Sequence, residues 1–255
     1  MSTAHEHSHF HGHLHGVHQH GPSADAVVDS NKAYFNTLSP SNATKQSYAR
    51  VGAAITTALL SHPALLPLSE STMHVLDYAC GPGTVSQALL PHVASIVGVD
   101  VSTRAVEEYN VAAHNQGVSE GEMRAVVADL VTGEGDVAAV GEGFDMAMCS
   151  MAYHHMPSPL LTTHAITRVL KKGGILAVID FRTHEVLEEG WKHIVPHNGF
   201  SEEQVKEWYK DAGLDEPVFV EVGDKGNGVT IVGLHSQGGD VKVRRAIFMA
   251  VGKKL

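Results

Sequence analysis

Cysteine is almost absent from this chain, with two thiols, Cys80 and Cys149, in 255 residues. Two cannot form the disulfide framework of a small secreted domain, which points to a reducing compartment. Long apolar runs are missing as well. The longest uncharged one, Val51 to Leu60, stops at Ser61-His62-Pro63, far short of the ~20 residues a membrane span needs. No basic, apolar, small-residue sequence opens the chain, so no secretory signal is read and the expected location is the cytoplasm. Positive charge is in short supply, 18 Lys and Arg against 28 Asp and Glu, a formal charge of -10. That balance repels phosphate backbones and argues against nucleic acid as a partner. What remains, 43% apolar and 18% charged, is an ordinary globular composition with enough length for one sizeable core.

Histidine is what the chain has in excess: 19, eight of them between His5 and His20 in HEHSHFHGHLHGVHQH. From His5 to His15 they fall on every second residue, with Gly and Ser interleaved and little to bury. Such a segment cannot recover its ordering entropy, so 1–25 is read as a disordered tail and 26–255 as the folded domain. Extended chain with that period points many imidazoles one way, which suits adventitious capture of a divalent metal such as zinc, nickel or copper. The plainer role is a solvated tail, and no metal site is assigned.

Beyond the tail, strand-like apolar runs alternate with helix-like periods. Tyr48, Val51, Ile55, Ala58 and Leu59 share one helical face. Val75 to Asp77, Ser95 to Val99, Met123 to Ala128, Phe144 to Cys149 and Ile175 to Asp180 read as five strands, with Pro217 to Val222 and Ala246 to Val251 as a late pair. Ser102 or Thr103 and Ser158-Pro159 are helix starts, Gly117 and Gly213 are stops, and Gly173-Gly174 ends the helix after Pro159. Ser201 to Gln204 is a capping box. Asp224 to Asp240 is rich in glycine and stays unassigned. Alternation of this kind predicts a doubly wound α/β fold, a parallel sheet covered by helices on both faces. Ligands of such sheets bind outside the carboxyl ends of the strands, where strand order reverses.

That rule selects VLDYACGPGTVS, in which Gly81 and Gly83 let the backbone turn tightly and approach a ligand. Asp100 follows Gly83 by 17 residues at the end of the next strand, where a carboxylate accepts from both hydroxyls of a ribose. Asp129, at the third strand end, suits an adenine amino group. Either Asp alone is equally a turn or capping residue; the pair behind a glycine turn is the stronger signal. Two ligand classes share this plan, nicotinamide or flavin dinucleotides and S-adenosylmethionine. A dinucleotide turn favours Gly or Ala where the chain has Ser86, and Asp77 welcomes a cationic, amine-bearing ligand rather than a pyrophosphate.

The segments VLDYACGPGTVS, GVDVS, VVADL, FDMAMCSMAYHHMP and RVLKKGGILAVIDF, in that order, resemble class I S-adenosylmethionine-dependent methyltransferases. The closest group is the small-molecule type related to ubiquinone and menaquinone biosynthesis. The resemblance covers about residues 30–255, specific through 181 and loose over 182–200 and 224–244. It implies a mostly parallel seven-stranded sheet whose last strand is antiparallel, with S-adenosylmethionine as cofactor. It further implies that Asp77, Ala79, Cys80, Gly81 and Gly83 line the methionine end and that Asp100 holds the ribose. Val101 would lie against the adenine, Asp129 and Leu130 at its edge, and Ser150 beside the sulfonium. Tyr34 and Phe35, in NKAYFNTL, match the N-terminal segment that closes over the cofactor, a position core packing would explain as well. Ala79 stands where many members have Gly, and Lys172 where they have Pro.

Methyl transfer needs a base only if the acceptor must lose a proton. No Asn/Asp-Pro-Pro-Tyr follows the fourth strand, which disfavours amino groups of adenine or glutamine as acceptors. His154 and His155 stand there instead and are the candidate bases, with turn structure as their plain alternative. His197 is next, in a polar cluster with His184, His193 and Asn198; Asp180 would be a weaker base unless burial raised its pKa. The expected partner is a small-molecule methyl acceptor, its reacting atom open. The competing readings are a NAD-dependent oxidoreductase and a non-catalytic protein that binds S-adenosylmethionine or metal.

Overall fold

The computed structural model describes residues 23–185, 193–223, 228–234 and 240–255. The histidine-rich stretch expected to be a disordered tail lies outside them. The first helix, α1 (Ala24–Thr37), opens inside the segment read as tail, with the Ser23 hydroxyl accepting from the Ala26 N–H. It is followed by α2 (Asn42–Leu60), β1 (His74–Tyr78), α3 (Thr84–Leu89), β2 (Ser95–Asp100), α4 (Thr103–Asn115), β3 (Met123–Val127), α5 (Val137–Val140) and β4 (Phe144–Ser150). Then come α6 (Pro159–Val169), β5 (Leu170–Phe181), α7 (Glu202–Asp211), β6 (Val218–Val222), β7 (Val229–Leu234), β8 (Asp240–Arg245) and β9 (Ile247–Lys253). The expected caps form: Ser102 on α4, Ser158 on α6 and the reciprocal Ser201–Gln204 box on α7.

Seven strands make one sheet in the order β3-β2-β1-β4-β5-β9-β6. All neighbours are parallel except that β9 runs antiparallel to β5 and β6. This is the expected doubly wound α/β sheet, with its last strand antiparallel. Period two divides its core into two faces. On one, Ala147, Cys149, Leu176, Val178, Phe248 and Ala250 pack with α6 and α7 through Ile166, Val205 and Tyr209. On the other, Met146, Met148, Ile175, Ala177, Ile179 and Met249 pack with α2 and α3 through Ile55, Leu59 and Leu89.

Two elements differ from expectation. The strand expected at Ile175 begins at Leu170, because α6 ends at Val169 and Leu170 already has extended backbone, ψ 144. The unassigned glycine-rich stretch contains a strand, β7, which pairs antiparallel with β8 just beyond it. This β7 packs on α2, where the buried Ser47 hydroxyl accepts from the Val232 N–H at 2.8 Å.

Candidate active site

Strand order reverses between β1 and β4, so their carboxyl ends open a crevice that no crossover helix fills. The residue after each strand, Ala79 and Met151, has left-handed backbone, φ 57 and 56. No other non-glycine described residue does, and such strain costs on the order of 1–3 kcal/mol per residue. Both strained residues line one cavity of about 960 Å³. α1 roofs it: the Asn31 side chain donates to the His155 carbonyl at 2.9 Å, and the Asn36 side chain accepts from the Ser102 hydroxyl at 2.8 Å.

Of the expected cofactor residues, Tyr34, Asp77, Ala79, Cys80, Gly81, Asp100, Val101, Asp129 and Ser150 line this cavity. Gly83 and Leu130 do not. Gly83 is packed against Tyr109, whose ring would lie 2.7 Å from a Cβ at that position. The Leu130 side chain is buried in the core beneath. Gly81, φ +52, is the opposite case: beyond its chain neighbours, a Cβ there would meet no atom of the described residues within 4 Å, so the turn leaves room at this point for a ligand.

The polar groups are held from behind. The Asp100 carboxylate accepts from the Gly81 and Ser102 N–H groups, each at 2.9 Å, which fixes it against the glycine turn. Asp129 accepts from the Tyr78 hydroxyl and the Val131 N–H through one oxygen, Oδ1, and its Oδ2 has no hydrogen bond among the described residues. The Ser150 Oγ is buried with no hydrogen-bond partner among the described residues, an orphan that a polar ligand in the cavity would satisfy. Asp77 is buried and accepts from the Ser86 hydroxyl at 2.6 Å. Burial pushes its carboxyl up to about 7 against the opposing Ser86 bond, with Asp100 adding to the rise.

Below about pH 4 both native and unfolded chains hold the Asp77 proton. As pH rises toward 7 the unfolded chain releases it first, so stability from this group is lost over that interval. His155 has the opposite sign: burial and neighbouring His154 push its ring down to about 3, so its contribution is lost as pH falls below 6.5. Asp77→Asn isolates the first effect. The variant is expected to gain stability over wild type on going from pH 5 to pH 8, by on the order of 2–4 kcal/mol. Urea unfolding at the two pH values checks this, and parallel curves would contradict it.

The candidate bases are placed differently from one another. His154 lines the cavity, and its Nδ1–H donates to Asp180 Oδ1 at 2.8 Å. That bond fixes the tautomer and leaves Nε2 as the proton-accepting nitrogen. Asp180, fully buried, also accepts from the N–H groups of His154 and Phe181. His155 lines the cavity too, but its Nδ1–H donates to the Ile194 carbonyl and its ring meets Phe35 edge-on at 5.1 Å. His197 is not among the lining residues; its Nε2–H donates to the Met156 carbonyl at 3.0 Å, bracing the 154–156 turn. His184 lines the cavity and His193 is exposed. Sequence spacing does not reveal the Asp180 partnership: the two residues are 26 apart, and the parallel pairing of β4 with β5 brings the turn after β4 against the end of β5.

A family model described as a methyltransferase domain matches residues 69–213. The chain belongs to this methyltransferase family. Among similar proteins, an uncharacterized methyltransferase of Schizosaccharomyces pombe is 34% identical, over 57% of this chain and 54% of its own length. A ubiquinone biosynthesis O-methyltransferase of Actinobacillus pleuropneumoniae is 30% identical, over 40% of this chain and 43% of its own. The chain thus matches about half the length, or less, of these relatives. Among solved structures, the magnesium protoporphyrin IX methyltransferase of Synechocystis with bound S-adenosylhomocysteine superposes with a TM-score of 0.62. It is 13% identical and covers 90% of this chain and all of its own. The cyclase SpnF also reaches 0.62, at 16% identity over 92% of this chain and 99% of its own. At identities this low the superpositions show a shared fold alone, and the fold does not fix the chemistry.

Proposed function

We propose that this methyltransferase takes its methyl group from S-adenosylmethionine and passes it to a small-molecule acceptor. The carrying observation is the set of groups around one cavity: the backed Asp100 carboxylate, the free Asp129 Oδ2, the orphaned Ser150 hydroxyl, buried Asp77 and the open space at Gly81. These fit a ligand with a ribose, a purine amino group and a cationic amino-acid end. Asp100 would hold the ribose and Val101 the adenine face, with Asp129 at the adenine edge. Asp77, Ala79, Cys80, Gly81 and Ser150 would surround the methionine end. Gly83 and Leu130 act one layer behind, Gly83 by letting Tyr109 pack close.

When bound, the cofactor supplies an electrophilic methyl group on a sulfonium. The protein contributes position, exclusion of water under α1 and, for a hydroxyl or thiol acceptor, a proton acceptor. His154 fits that last role, because Asp180 fixes its tautomer and it faces the cavity. His155 is the weaker candidate: its ring nitrogen is held well below the range useful at neutral pH, which suits a wall residue. His197 would position the turn.

The test is transfer of labelled methyl from S-adenosylmethionine to a panel of hydroxyl, thiol and amine acceptors, scored by acceptor-dependent formation of S-adenosylhomocysteine. Gly81→Val, whose side chain enters the open space, should lower transfer at least a hundredfold while costing the fold on the order of 1–3 kcal/mol. A chain lacking residues 1–22 should turn over like the full chain. Full activity of the Gly81 variant would overturn the assignment of this cavity.

A further inference from the structure

The cofactor groups account for part of the cavity wall; another part comes from the β7–β8 hairpin, α2 and the loops beside β5 and α7. Ile55, Phe181, Ile194, Ile231, Val232 and Val243 line it, an apolar surface with room beside the cofactor groups. Strand alternation on β8 turns Val243 and Arg245 toward the cavity, while Lys242 and Arg244 on the other face are exposed. Arg245 therefore stands as a half-buried cation in an apolar stripe. Among the described residues its guanidinium makes one long hydrogen bond, Nη1 to the Arg244 carbonyl at 3.4 Å, and no ion pair. The other cations of the lining are provided for: Arg104 is held by Glu108 at 2.8 Å, and Lys45 is exposed. His184, also in the lining, is held below the ordinary imidazole range by burial and by the charge of Arg245, so it adds no second positive charge at neutral pH.

A partly desolvated cation that pairs with no anion among the described residues is a cost to the free protein, removed when an anion arrives. We propose that Arg245 forms the acceptor's recognition subsite and that the acceptor is an apolar molecule carrying one carboxylate. A guanidinium matches a carboxylate by a two-pronged, charge-balanced contact, whereas a phosphate dianion would leave uncompensated charge against Val243 and Ile231. The proposal rests on the methyltransferase reading of the cavity, which donor binding tests separately.

The experiment is calorimetric titration of the full chain, loaded with S-adenosylhomocysteine, using 3-phenylpropanoate and octanoate, each beside its primary amide, and phenyl phosphate. The acids are expected to bind at least tenfold more tightly than their amides and than phenyl phosphate. Arg245→Gln should lose at least tenfold on the acids, shift the amides less than twofold and leave S-adenosylhomocysteine affinity unchanged. Arg245→Lys should recover part of the acid affinity. Equal binding of acids and amides by the wild type, no acid binding, equal loss of both in Arg245→Gln, or preference for phenyl phosphate would each overturn the proposal. Failure of S-adenosylhomocysteine itself to bind would instead overturn the reading of the whole site.

Discussion

Replacing Asp180 with alanine is expected to destabilise the fold by about 3–5 kcal/mol and to abolish measurable methyl transfer. The carboxylate is 0% exposed and accepts three hydrogen bonds, from His154 Nδ1 and from the N–H groups of His154 and Phe181. Its removal leaves three donors without this partner, the two of His154 buried and that of Phe181 partly so. Because loss of activity in Asp180→Ala does not distinguish unfolding from lost chemistry, Asp180→Asn separates the roles. The amide keeps the shape but presents one acceptor where three donors converge, so the His154 tautomer is no longer fixed. With a hydroxyl or thiol acceptor, His154→Ala and Asp180→Asn are each expected to lower kcat at least tenfold with donor affinity unchanged. The double variant should be no slower than the worse single one, since both remove the same proton acceptor. Multiplying losses would show that Asp180 acts independently of His154.

Asp100→Ala is expected to weaken S-adenosylhomocysteine binding by about ten- to a hundredfold, on the order of 1.4–3 kcal/mol. Two losses combine. In the proposed binding mode the ribose loses a charged acceptor, and the glycine turn loses its anchor, because the same carboxylate holds the Gly81 and Ser102 N–H groups. The effect also reaches the roof, since Ser102 donates to Asn36 on α1. Equilibrium titration of the variant checks this, and an unchanged affinity would remove Asp100 from the cofactor site.

The centre of the sheet was legible because β1, β4 and β5 are buried on both faces over Val75 and Leu76, Met146 to Cys149 and Ile175 to Ile179, which read as short apolar runs closed by Asp77, Ser150 and Asp180. Caps were legible for a similar reason: Ser158-Pro159 and the Ser201–Gln204 box are local chemistry. α1 escaped because little of it is packed into the core: among its residues only Val27 and Asn31 are buried, Val28, Tyr34 and Phe35 face the cavity, and Asn31 is held by a long-range bond to His155. The β7–β8 hairpin escaped because its alternation, Val-Lys-Val-Arg on β8, is short and set among glycines. In the site, strand-end carboxylates could be found by spacing, since each closes its own strand. Partnerships across strands could not: Asp180 with His154, Arg245 with the apolar wall and His197 behind rather than inside the cavity all depend on register. Gly83 and Leu130 match the family's motif in sequence, yet their side-chain positions face the core.

The central claim is that this cavity is built for S-adenosylmethionine, and calorimetric titration of the full chain with S-adenosylhomocysteine and with NAD tests it most directly. The account predicts saturable one-to-one binding of S-adenosylhomocysteine, weakened at least tenfold in Asp100→Ala, and no binding of NAD. Saturable binding of NAD with none of S-adenosylhomocysteine would contradict it.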